Sequence, residues 1–375
     1  MDIQIREVVS KRQLKTFVFL TATIHRNHTN WLPPIYLDEL SFFNPRKNRS
    51  FAFCDHIRLL AYRDGIPVGR IMGLINHRYN ERKQQFNARF SYFETFDDQD
   101  VAHALLSAVE GWARSKGCER LIGPLGFSDK EPMGMMVEGF EQPLVLAANG
   151  NLPHQVALLE REGFTKEVGM VSYLAPIPDE TPAFFEKVLS RIERNLAEDF
   201  KMVEFTNRIK LRRYIYPVLN LTNRAFEPIY GSMPYERHEM NDFANRFIWL
   251  LDPRFIKVIE TKGGEVVAYV IGMPDIGQGI ISARGRVLPF GIFKFFSAMK
   301  RTDRMVMLLG AIDEPYRGRG LDVYLAQKLF ESCRKAGKKW MDSHLVLESN
   351  TRMRAEYERI GGEVYKRYVL YQKNL

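Results

Sequence analysis

The chain has 375 residues, room for two to three ordinary domains, and its 45% hydrophobic and 26% charged content excludes a disordered polypeptide. Lys and Arg outnumber Asp and Glu by 54 to 45, a formal net charge of +9 that favours an anionic partner: nucleic acid, an acidic membrane surface or a phosphorylated small molecule. Three cysteines, Cys54, Cys118 and Cys333, show neither CxxC nor Cys/His spacing, which argues against a disulfide framework and a zinc site. Residues 1–4 open no basic-then-apolar leader, and no run of about 18 apolar residues occurs, so the expectation is a soluble cytoplasmic protein.

Along the chain the first clear elements form a hairpin at 57–75, two apolar runs joined by Asp64-Gly65, where glycine supplies the positive φ of a tight turn. A strand at 89–94 and an amphipathic helix at 99–116 follow, with Ala104, Leu105, Ala108, Val109 and Trp112 at helical spacing and Gly117 as C-cap. Residues 123–136 are an irregular Gly/Pro/Met insertion, either core filling or a flexible apolar contact for a ligand. A short helix at 158–164, broken by Gly163, leads to a strand at 168–174.

The same order then returns. Residues 255–273 form a second hairpin around Gly263-Gly264, 305–312 a strand, 320–336 a helix ending at Gly337, 356–362 a short helix and 363–371 a strand. Gly65 and Gly263 are 198 residues apart, and so are Gly163 and Gly361. The recurring offset predicts a tandem duplication. Residues 1–175 are the first unit, 176–199 a Pro-rich linker with a helix at 183–197, and 200–375 the second unit. The expected class is α/β with mixed sheets.

Chemistry concentrates where the 305–312 strand runs through Asp313-Glu-Pro-Tyr-Arg-Gly-Arg-Gly-Leu-Asp322 straight into a helix. Free N–H groups and the positive helix end converge there, Gly318 and Gly320 let an anion approach the backbone, and Arg317 and Arg319 add charge. This is neither a Lys-containing P-loop nor GxGxxG.

The strand, the Tyr-Arg-Gly-Arg-Gly turn, the helix, then Asn350, Tyr357 seven residues on and Gly361 resemble the acyl-CoA core of the GNAT superfamily of N-acyltransferases. Its signature is Gln/Arg-x-x-Gly-x-Gly/Ala. Arg317 and Gly320 match, whereas Asp322 stands where Gly or Ala belongs and places an acid near a pyrophosphate, unless it caps its own helix. The resemblance covers 200–375 well and 1–174 more weakly, so it implies two tandem GNAT-like domains.

By that resemblance, acyl-CoA (acetyl-CoA or a longer chain) is the co-substrate, held by Ile312, Arg317, Gly318, Arg319, Gly320, Leu321, Asp322 and Asn350, and no metal is involved. Its pantetheine arm would pair like a strand between 305–312 and 341–347, with the carbonyl polarised on a backbone N–H. Tyr357 matches the acid that protonates the leaving thiolate; the base is left open between Asp313 and His344, with Glu314 and Glu348 nearby. The first unit carries Phe96-Asp-Asp-Gln-Asp-Val101 in place of the Arg/Gly turn and Leu159 in place of Tyr357, and is read as degenerate, bracing the sheet or shaping the acceptor site.

Residues 284–301 set Phe290, Ile292, Phe293 and Phe296 among Arg284, Arg286, Lys294, Lys300 and Arg301. Such a stretch is either a helix on an anionic membrane or one packed on a neighbouring domain. The whole plan resembles a group of bacterial tandem GNAT proteins that includes ceramide synthases, which implies a primary-amine acceptor, a long-chain sphingoid base within that class. A soluble amine or peptide acceptor and a non-catalytic CoA- or lipid-binding protein are the rival readings. Nucleic acid is not expected, because the basic residues are scattered and no nucleic-acid-binding motif appears.

Overall fold

The computed structural model describes residues 2–146 and 148–375; Met1 and Ala147 lie outside them. The first half contains β1 (Ile3–Glu7), α1 (Lys11–Ile24), α2 (Tyr36–Phe42), β2 (Cys54–Arg63), β3 (Ile66–Asn76), α3 (His77–Lys83), β4 (Asn87–Thr95), α4 (Gln99–Ser115), β5 (Arg120–Gly123), β6 (Met135–Glu138), α5 (Pro153–Arg161) and β7 (Thr165–Pro176). After α6 (Ala183–Asp199) come β8 (Phe200–Glu204), α7 (Arg208–Arg212), α8 (Ile215–Ala225), α9 (Arg237–Phe247), β9 (Ile256–Thr261) and β10 (Val266–Pro274). The chain closes with α10 (Gly277–Ala283), α11 (Gly291–Arg301), β11 (Arg304–Ile312), α12 (Leu321–Lys335), β12 (Trp340–Asp342), β13 (Val346–Leu347), α13 (Thr351–Arg359) and β14 (Glu363–Asn374).

The expected pattern is realised locally. The Asp64-Gly65 turn joins β2 to β3 in antiparallel register, with both residues at positive φ. Asp98 caps α4 by accepting from Val101 N at 3.2 Å, and Val101, Leu105, Val109 and Ala113 of that helix are buried against the sheet. In α12 the stripe Leu321, Leu325, Leu329 and Cys333 is buried in the same manner. Leu125, Phe127, Met133, Met135 and Met136 of the 123–136 insertion are all buried, so that segment fills core.

Among the described residues, fourteen strands form one sheet in the order β1-β2-β3-β4-β5-β14-β7-β12-β11-β10-β9-β8, with β6 beside β14 and β13 beside β7. The two halves exchange their closing strands. β7, the last strand of the first half, pairs with β12 and β13 of the second. β14, the last strand of the chain, pairs with β5 and β6 of the first. β7 and β14 also pair with each other, antiparallel, from Glu363–Leu174 to Gln372–Thr165, and this seam joins two five-strand wings into one sheet.

Candidate active site

β11 and β12 run parallel for only three pairs, Arg304 with Trp340, Met305 with Met341 and Val306 with Asp342. Beyond them the chain turns away. His344 takes a left-handed φ of 56°, Ser343 N bonds Tyr173 O at 2.9 Å, and Val346 and Leu347 join β7 instead. From Met307 to Ile312, β11 is therefore hydrogen-bonded only to β10, and its other edge borders a groove. A bulge where Ile271 faces Leu309 and Gly272 faces Met307 leaves Leu308 unpaired in mid-strand, a device that re-aims backbone groups.

The first half splays in the same place and then closes. β4 and β5 pair at Asn87–Arg120, Ala88–Leu121 and Arg89–Ile122, after which Leu125 N donates to Phe90 O at 2.8 Å. Buried Arg89 donates Nη1 to the carbonyls of Gly126 and Phe127 at 3.0 and 3.1 Å. Above that closed groove, Arg70 Nε meets Glu94 Oε2 at 3.1 Å; burial opposes ionisation of Glu94, but Arg70 and His25 overcome it and hold the carboxyl below its ordinary range. The first half is degenerate in structure as well as in its acidic 96–101 turn.

At the mouth of the open groove the chain bends through Asp313–Tyr316, and Arg317 Nε folds back to Ile312 O at 3.2 Å. Gly318 and Gly320 have φ of 76° and 77°, and a Cβ built on Gly318 meets nothing within 4 Å. Among the described residues no protein acceptor faces the N–H groups of Gly318, Arg319, Gly320, Leu321, Asp322 and Val323. Six consecutive amides thus stand free at the positive end of a 15-residue helix, an arrangement whose electrostatics favour an anion. Exposed Arg317 and Arg319 flank it, the latter 5.2 Å above the Tyr316 ring. Asp322 does not cap its helix, whose N-cap is Gly320 without a side-chain bond. After burial, Asp322 contributes to raising the carboxyl pKa of Glu356 on α13.

Tyr357 projects from α13 and stacks on Tyr173, ring centroids 5.5 Å apart at 12°. Burial, with Asp342 adding to it, pushes its phenol above the ordinary tyrosine range, and its hydroxyl has no hydrogen-bond partner among the described residues. Asn350 is the N-cap of α13, accepting from Met353 N at 3.2 Å. Asp313 is held by Arg224 of α8, Nη2 to Oδ2 at 2.5 Å, and accepts Glu314 N at 3.1 Å. His344 donates its N–H to Asp342 Oδ1 at 2.8 Å, and its carbonyl accepts from Ser343 Oγ at 2.8 Å. The structure thus gathers 312–322 at the mouth, with Asp313 paired to Arg224, while Asn350 caps α13 and the His344 backbone is tied to Asp342 and Ser343.

One group at the apex was not legible in sequence. Asp342, fully buried, is the last residue paired with β11 and lies 3.8 Å from buried Lys366 Nζ. Tyr365 Oη also donates to it, and Lys366 Nζ donates to Pro143 O at 3.2 Å. Arg304 and Asp275 border the cluster; Arg304 Nη1 and Tyr368 Oη are buried without partners. Burial raises the Asp275 carboxyl, whose Oδ1 accepts Gly277 N at 2.8 Å. A cavity of about 360 Å³ lies elsewhere, between 38–53 of the first half and 233–245 of the second, and no β11 or α12 residue lines it.

No family model matches the chain. It is 27% identical over 387 residues to Protein YghO of Escherichia coli (strain K12), covering 99% of this chain and 95% of that one. It is 26% identical over 384 residues to the bacterial ceramide synthase of Caulobacter vibrioides (strain NA1000 / CB15N), covering 100% and 98%. A solved tandem GNAT protein from the clavulanic acid biosynthesis pathway superposes with a TM-score of 0.58 at 13% identity, over 100% of this chain and 98% of that one. The chain has the tandem GNAT fold, with its first groove closed and its second open.

Proposed function

We propose that the protein is an acyl-CoA-dependent N-acyltransferase, with a primary amine as acceptor and a long-chain, sphingoid-type amine within that class. The observation that carries the reading is the open edge of β11 ending at six amides without protein acceptors. A diphosphate fits the amides of 318–323, and a pantetheine arm fits the free strand edge at 307–312. The amine nitrogen attacks the thioester carbon, the amide bond forms and the C–S bond breaks. The thiolate takes its proton from Tyr357 Oη, and the proton released by the amine leaves to a base or to water.

The lipid acceptor is supported by the likeness to a ceramide synthase and by α11. On that helix Phe295 is buried, whereas Phe293 and Phe296 are 67% and 39% exposed, and Leu288 and Phe290 just before it are 67% and 71% exposed. Lys294, Lys300 and Arg301 border this face, an arrangement suited to the anionic inner face of a membrane. No helix among the described residues is long and apolar enough to cross a membrane.

Mass spectrometry of products formed from mixed acyl-CoAs and an amine library tests the reading. It expects N-acylated long-chain amine and free CoA. CoA binding without any acylated product would refute catalysis, and acylation of soluble amines alone would refute the lipid acceptor. Co-sedimentation with anionic liposomes is expected, and is expected to be lost in Phe293→Asp/Phe296→Asp; no sedimentation of the parent chain would refute the membrane contact.

A further inference from the structure

Tyr173 belongs to β7, the closing strand of the first half, yet it is tied to the second half on both sides of the open groove. Its backbone holds the turn at which β12 leaves β11: Tyr173 N donates to Ser343 Oγ at 2.8 Å, Ser343 N donates to Tyr173 O at 2.9 Å, and the next residue, Leu174, pairs with Asp342. Its side chain, buried, holds α13. Tyr173 Oη donates to Glu358 Oε1 at 2.5 Å and accepts from Arg354 Nε at 3.0 Å, and the ring lies nearly parallel to that of Tyr357 between them in sequence.

The duplication supplies an internal comparison. Tyr173 and Tyr371, Leu159 and Tyr357, and Glu160 and Glu358 are each 198 residues apart. Tyr371, on the other exchanged strand, β14, donates Oη to Glu160 Oε1 of α5 at 2.8 Å, the same tie running from the second half to the first. There the tyrosine shares an apolar core with Leu159, which stands in the acid's place. In the second groove it stacks on a phenol instead. Nothing among the described residues bonds that phenol's hydroxyl, so ring packing sets where the hydroxyl points. An aromatic pair is worth about 0.5–1.5 kcal/mol beyond its burial, enough to favour one ring orientation.

Resting on the acyltransferase reading, we propose that Tyr173 is a positioning residue for the acid Tyr357, so that the first half, whose own groove is closed, supplies part of the second half's catalytic geometry through its exchanged strand. The stack sets the plane of the phenol, and the bonds to Glu358 and Arg354 hold the helix that carries it. The proton passes from Tyr357 Oη to the leaving thiolate, and Tyr173 keeps its own.

Amine-dependent release of free thiol by the full chain, from acetyl-CoA and from palmitoyl-CoA with sphinganine as the amine, tests this. Tyr173→Leu, which removes the stack and both bonds, is expected to lower kcat by about tenfold or more with the KM for acyl-CoA unchanged. Tyr173→Phe keeps the stack and loses only the bonds to α13, and is expected to lower kcat by about threefold. On a Tyr357→Phe background neither substitution is expected to cost anything further, because the group it positions is gone. Tyr371→Leu, the counterpart in the closed half, is expected to lower the melting temperature and leave kcat and KM unchanged. Thermal melts identify variants that fail to fold; if Tyr173→Leu is one, the Tyr173→Phe pair with and without the Tyr357 hydroxyl decides. An unchanged kcat in the folded Tyr173 variants, or the same loss with and without that hydroxyl, overturns the inference alone. No thiol release by the parent chain from either donor overturns the acyltransferase reading and this inference with it.

Discussion

Replacing Asp342 by Asn removes a charge that Lys366 has no substitute for. The two groups are 3.8 Å apart and almost wholly buried, which at an effective dielectric of about 20 corresponds to roughly 4 kcal/mol of attraction. Breaking a buried pair by removing one partner typically costs about 3–5 kcal/mol, and here the bonds from Tyr365 Oη and His344 N weaken as well. For a chain of 375 residues unfolding as one unit, that lowers Tm by about 4–6 °C. Burial already holds the Lys366 ammonium below the ordinary lysine range with Asp342 in place, and Arg304 adds to it. Without Asp342 that pKa falls further. The unfolded state then binds more protons than the folded one between the folded pKa and the ordinary lysine value, so the variant gains stability as pH rises and loses it as pH falls through the folded pKa. Calorimetry or urea unfolding of Asp342→Asn at several pH values measures both effects. Adding Lys366→Met is expected to recover most of the loss, because an apolar replacement of a buried pair is nearly neutral. A cost below about 1 kcal/mol for Asp342→Asn, or a double variant no more stable than the single one, would refute the pairing.

Gly320→Val forces a β-branched residue to a φ of 77°, at a cost of about 1–2 kcal/mol, and is expected to remove the thermal shift given by CoA. Gly264→Ala, strained at a φ of 85° in a distant hairpin turn, is the control that keeps that shift; loss in both would mean that strain alone is being read. Tyr357→Phe is expected to lower kcat by about 10²-fold with CoA affinity intact, and the parent's alkaline loss of rate should lie above pH 10.0, the ordinary tyrosine value. Asp313→Asn is expected to cost at most about 1 kcal/mol, because its partner Arg224 is half exposed, and to leave turnover nearly unchanged. A loss of about 10²-fold or more in kcat would return Asp313 to the chemistry as the base.

The parts of this molecule legible in sequence are those encoded by neighbours in the chain. The Asp64-Gly65 turn, the α4 and α12 stripes and the Gly/Arg mouth are set by glycines and periodicity within about a dozen residues. The α11 phenylalanines show the limit of composition: their crowding was legible, but only the fold shows Phe295 turned inward and Phe293 outward. Helices α7–α9 were not read at all, since α9 carries Arg, His, Glu, Asn and Asp through most of its length. Lys366 and Asp342 escaped for another reason. A lysine and an aspartate in strands normally mark solvent-facing positions, and their burial depends on β14 crossing to β7, which no local pattern reports. Strand exchange itself was invisible because β7 and β14 are equally good apolar strands for either half.

That exchange has a consequence for synthesis. Gly123 finds its neighbour only when Tyr371 has been made, so β5 stays an uncovered edge while the roughly 250 residues between them are translated. Neither half is a self-sufficient piece to be cut out and expressed, and trimming the final dozen residues would injure the amino-terminal wing first. Strand β14 works as the clasp of the molecule, holding together the two wings that flank the seam.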